Sequence, residues 1–128
     1  MTTTGKFYIE SKKIRGEAPI SGSVVANWNA TESDIVSIGA AGKRHLIHSL
    51  LLDIDGFVGI VTVRLYITIN GTERQSYSQN FSVAADGPGL WVINGTIGIH
   101  GVLRVTAQSD NAADDGKPIG YTYMLEVM

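Results

Sequence analysis

The sequence predicts an all-β domain: an antiparallel, eight-stranded, two-sheet sandwich behind an extended N-terminal arm. Three observations predict it. From residue 23 onward apolar and polar residues alternate with period two, and a helical period is hard to find. Asp55-Gly56, Asn70-Gly71 and Asn94-Gly95 are dipeptides that suit two-residue hairpin turns, where both central residues need positive φ. The chain has 128 residues, near the usual size of one domain, and no cysteine, so its core must hold without disulfides.

The elements follow in order. Residues 1–22 hold Ser, Lys, Gly and Pro19 around scattered apolar residues. They read as an extended arm that orders by docking, with Phe7, Ile9 and Ile14 as anchors, or equally as a frayed terminus. The domain proper is placed at 23–128. Val24, Ala26 and Trp28 alternate with Val25, Asn27 and Asn29 in a first strand. Residues 34–38 form a second, and Gly39–Gly42 a turn. Strand 44–54 puts Leu46, Leu50, Leu52 and Ile54 on one face. Asp55-Gly56 turns into strand 57–69, and Asn70-Gly71 into strand 72–83, whose polar residues suit an edge. Residues 84–89 form a loop, 90–93 a short strand, and Asn94-Gly95 a turn. Strand 96–108 alternates well, with a bulge expected at Gly98 and Gly101. An exposed acidic loop spans 109–118, and strand 119–127 closes the chain. A jelly roll is the first choice of wiring; an immunoglobulin-like sandwich or a barrel comes second.

Composition narrows the function classes. Charged residues are only 17% of the chain, below the roughly one quarter of an average domain, which hints at surface covered by partners. Net charge is −2, so no basic field points to nucleic acid. The charge is uneven: residues 1–22 carry +2 and the rest −4. No apolar run is long enough to span a membrane. The start, Met1 to Lys6, lacks the apolar stretch of a signal peptide, so cytosolic synthesis is expected.

No catalytic or metal constellation emerges, and no cofactor is expected. His45 and His48, three apart on a strand, point to opposite faces and do not share a metal easily. Asp110, Asp114 and Asp115 could offer oxygen ligands to calcium, but EF-hand spacing and its terminal Glu are missing, so a solvated loop is expected. Gly42-Lys43 fails as a phosphate loop, because Ser37 stands where Walker A needs Gly and Arg44 where it needs Ser or Thr. No Gly-x-Ser-x-Gly elbow exists. The chain is therefore expected not to be an enzyme.

One pattern remains. Strand 44–54 has apolar residues on its second face, Ile47 and Leu51, and Val58 and Ile60 follow on the nominally outer face of the next strand. A solvated face does not need them, so an arm or another subunit should cover them. With the arm at 1–22 and the Asn-Gly and Asp-Gly turns, the chain resembles the small jelly-roll capsid decoration, or cement, proteins of tailed bacteriophages. The resemblance implies a virion structural protein, made in the host cytoplasm, that binds the major capsid protein on the outer capsid surface as a homotrimer. Phe7, Ile9, Ile14, Ile47, Leu51, Val58 and Ile60 are the expected contacts. The alternative is a carbohydrate- or receptor-binding β-sandwich that uses its loops, with Asp86, Trp91, Asp114, Asp115 and Tyr121 as ligand residues.

Overall fold

The computed structural model describes residues 18–127. Phe7, Ile9 and Ile14 lie outside them. The described chain is all-β apart from two short turns of helix, and its six strands form one antiparallel sheet. The strands are β1 (Ile20–Val25), β2 (Ser33–Asp53), β3 (Val61–Ile69), β4 (Thr72–Phe81), β5 (Gly89–Ser109) and β6 (Pro118–Val127). The sheet order is β1-β6-β2-β5-β3-β4.

Six strands replace the eight expected because two expected turns are irregularities inside long strands. Residues 39–44 interrupt the pairing of β2 with β5 without ending either strand. Gly39, at φ 95, permits the kink, and an added Cβ there would meet the Gly101 carbonyl oxygen at 2.5 Å. The Asn94-Gly95 pair likewise lies within β5 and closes no hairpin. Nor does Asp55-Gly56, since β3 pairs with β4 and β5 but not with β2. Only Asn70-Gly71 does what its dipeptide signals: both residues have positive φ, and β3 runs directly into β4. β4 is an edge strand, as its polar sequence suggested. Residues 20–22, expected in the arm, belong to β1. Residues 83–86 form one helical turn, α1, inside the expected loop.

The kinks divide the ladder into two quartets. The first comprises β1, β6, the second half of β2 (44–53) and the first half of β5 (89–100). The second comprises the first half of β2 (33–39), the second half of β5 (102–109), β3 and β4. Buried residues of both quartets, including Ile47, Leu50, Ile119, Val63 and Val105, belong to one hydrophobic cluster.

A bulge decides which residues of β2 reach that cluster. Ser49 adopts φ 57, and the register with both neighbours shifts between His48 and Leu50. The extra residue resets the alternation, so His45, Ile47, Leu50, Leu52 and Ile54 are all buried. Ile47, expected on the contact face, is therefore a core residue with 0% exposure, and Leu46, expected in the core, is only half-buried.

Candidate binding face

Residues paired across antiparallel strands share a face. In the first quartet, Trp91, Leu51, Thr122 and Ser21 form one cross-strand row on the face turned from the core. The Ser21 and Thr122 hydroxyls lie 3.0 Å apart, as neighbours on that face should. Trp91 is 57% exposed and Leu51 half-buried. The next row is Gly89, Asp53, Gly120 and Ser23. Two glycines beside Asp53 leave a shallow groove of about 480 Å³, floored by Leu51, Asp53, Gly89 and Gly120. Val25, paired with Pro118, is exposed on the same face. At the row's other side His48 bridges strands, its Nδ1 2.8 Å from the Thr96 hydroxyl and its Nε2 2.8 Å from Glu126.

The second quartet's outward face is polar and self-paired. Arg104 donates to Glu73 through Nε and Nη2 at 3.0 and 2.9 Å, and to Asp34 at 2.6 Å. Its guanidinium also lies 4.3 Å from the centre of the Tyr66 ring. Tyr66 and Thr106 both donate to Glu32, and Arg64 pairs with it at 3.2 Å. Burial raises the Glu32 carboxyl, but the hydrogen bonds from Thr106 and Tyr66 and the nearby Arg64 and Arg104 outweigh it and hold the group below the ordinary carboxylate range.

The acidic loop is a clasp. Asp114 is fully buried and accepts from the amides of Val58 at 2.9 Å and Gly59 at 3.0 Å, from the Ser109 hydroxyl at 2.5 Å and from Lys117 at 3.0 Å. Asp110 accepts from the Ile60 amide and Asp115 from the Asn29 amide. Burial pushes the Asp114 carboxyl up, and these bonds pull it down further, to below its usual value. Lys117 also donates to the Gly56 carbonyl, while its own carbonyl accepts from the Trp28 indole. Residues 110–113 of the expected solvated loop are exposed, but its carboxylates are taken up by amide, hydroxyl and ammonium donors, and no three His, Asp or Glu among the described residues are placed to hold a metal ion. The clasp leaves Val58 and Ile60 exposed, at 64% and 46%, on a backbone whose amides are all bound. Gly59 between them lies so close to the loop that a Cβ would meet Asn111 and Asp110 at 2.6 Å.

The expected ligand residues do not converge. Tyr121 lies over Gly22, its row partner on the core side, and stacks on Tyr123 with centroids 6.1 Å apart. Trp91 is on the opposite face. Asp86 accepts from the Ser82 amide at the start of α1, so it braces that turn. Of the expected contacts, Leu51, Val58 and Ile60 remain accessible. The sequence reading missed the row joining Leu51 to Trp91, because only the register across β2 and β5 reveals it. No helix among the described residues is long and apolar enough to cross a membrane. No protein-family model, curated protein or solved structure matches the chain.

Proposed function

We propose that this chain is a non-catalytic virion structural protein that docks on the outer surface of a capsid, through the first quartet's outward face, as a homotrimer. The wiring supports a rolled architecture. Counting the halves of β2 and β5 separately gives eight segments, and they pair as nested sets: first with eighth, second with seventh, third with sixth, fourth with fifth. A long hairpin with those nested pairs, rolled over one core, is a jelly roll of two four-stranded sheets.

The observation that carries the function is the contrast in outward faces. One presents Trp91, Leu51 and Val25; the other binds its own charges. An exposed tryptophan in a row of strand residues suits a contact with another chain. The test is light scattering of the full chain, with co-sedimentation on capsid shells of a tailed phage stripped of surface proteins. The reading expects trimers that pellet with shells; a strict monomer with no capsid affinity overturns it.

A second reading has its own support. Trp91 stands beside a groove bordered by the Ser21 and Thr122 hydroxyls and the Asp53 carboxylate, which suits a sugar ring. Saturable binding on a glycan array, abolished by Trp91→Ala, would favour it over capsid docking.

A further inference from the structure

We infer that this chain assembles head to tail: the apolar knob of Val58 and Ile60 on one copy enters an apolar wedge between β3 and β5 of a second copy. The contact stands whether or not the chain belongs to a virion, and its test needs no capsid. Val58 is 64% exposed and Ile60 46%. The backbone under them is held fixed. Asp114 binds the amides of Val58 and Gly59, and Asp110 binds that of Ile60. The Asp110 amide in turn donates to the Ile60 carbonyl, so the two loops are locked together. A knob presented this rigidly has little freedom left to lose on binding, which favours association.

The wedge lies at the other end of β3. Ile67, Ile69, Ile97, Ile99 and Leu103 wall an opening of about 480 Å³. Ile69 is 54% exposed and Ile97 39%, so apolar surface meets water at its mouth. From Val61, next to the knob, to Ile69, at the wedge, β3 spans roughly 26 Å at about 3.3 Å per residue. A knob therefore cannot enter the wedge of its own chain, but it can enter that of a second copy. Charge selects the same partner. Asp55 and Asp110 are exposed around the knob, while Lys117 beside it is committed to Asp114 and to the Gly56 carbonyl. At the wedge, His100 is part of the wall and the exposed Arg44 is its cross-strand partner. The exposed Arg74 is the cross-strand partner of Ile67. Among the described residues neither arginine makes an ion pair, and neither does Asp55 or Asp110. An acidic rim around the knob thus matches a basic rim around the wedge, which orients the encounter and fixes its register. One chain carries both halves, so the contact is heterologous and closes into a ring when its rotation permits.

Sedimentation of the full chain with two variants tests the contact. Val58→Ser/Ile60→Ser removes the knob and Ile69→Ser/Ile97→Ser the wedge, all at exposed positions, and urea unfolding checks that each fold persists. Each variant alone should associate roughly 30-fold more weakly than the unaltered chain. Mixed one to one, the two should form a heterodimer, because one intact knob and one intact wedge remain between them. An unaltered chain that stays monomeric overturns the inference, and so does a mixture that stays monomeric. Undiminished association of the wedge variant overturns it too, in favour of a knob-to-knob contact and a wedge that holds a small apolar molecule or another part of the chain. Should a serine variant unfold, Arg44→Glu/Arg74→Glu takes its place. Association should then fall roughly tenfold, and unchanged association overturns the match between the two ends.

Discussion

The two outward faces of this sheet solve the same problem differently. Each is a four-stranded surface over a shared core. The second quartet spends its charges on itself: Arg104 reaches Glu73 and Asp34, and Glu32 gathers Tyr66, Thr106 and Arg64. Little is left over for a partner. The first quartet leaves Trp91 and Val25 in water beside a groove. The difference teaches that a low share of charged residues is uninformative as an average. What matters is that the paired Arg, Glu and Asp side chains collect on one face, while the other sets Trp91 and Val25 in water beside Asp53.

The largest expected effect tests whether both faces rest on one rigid frame. The loop after β2 and the turn after β5 each connect the quartets, and Asp114 joins them. Asp114→Ala strands the Val58 and Gly59 amides and takes one acceptor each from the Ser109 hydroxyl and the Lys117 ammonium. It should cost about 3–5 kcal/mol, read by urea unfolding. A loss under about 1 kcal/mol would mean that the quartets hold without the clasp.

The next effect separates the faces directly. Trp91→Ala should weaken self-association or capsid binding by roughly 2–3 kcal/mol, about 30- to 150-fold, while thermal unfolding of the monomer hardly moves. Arg104→Ala should do the reverse, lowering stability by about 1 kcal/mol and leaving association intact. If Arg104→Ala weakens association as much as Trp91→Ala, the contrast between the faces is not a functional one.

Acid should tell the same faces apart. Glu32 and Asp114 have folded-state affinities for protons below those of the unfolded chain. Their contribution to stability is therefore whole above about pH 4, the ordinary carboxylate value, and is lost as pH falls through the depressed folded values. Glu32→Gln should flatten part of that acid limb in a pH series of urea midpoints. Trp91→Ala should leave its shape unchanged.

Much of the fold was legible, and the failures share a cause. Strand existence and the polar edge at β4 follow from alternation, which is local. Asn70-Gly71 was read correctly because its two flanking strands do pair. Asp55-Gly56 and Asn94-Gly95 misled because a dipeptide signals backbone conformation, not which strands will meet. The acidic loop misled because Asp114 is buried by partners some 55 residues away in sequence, at Val58 and Gly59. Of the accessible apolar residues, Leu51 on the face and Val58 and Ile60 on the loop before β3 were legible as surplus, whereas the row through Trp91 needed the register.

The smallest expected effect lies at the residue that sorts β2 between its faces. Ser49 occupies the left-handed region, where a side chain costs roughly 1 kcal/mol and glycine almost nothing. No sequence signal marks it, since serine is unremarkable in a strand, and so the alternation ran on unbroken and put Ile47 outside. Ser49→Gly relieves the strain but adds freedom to the unfolded chain, so stability should rise by only about 0.5 kcal/mol. Ser49→Val should lower it by about 1 kcal/mol, because a β-branched side chain resists that φ. If valine is instead the more stabilising of the two, the extra residue is not held at Ser49. Ile47 and Leu46 would then exchange faces, and the apolar surplus would return to the side where the sequence alone had placed it.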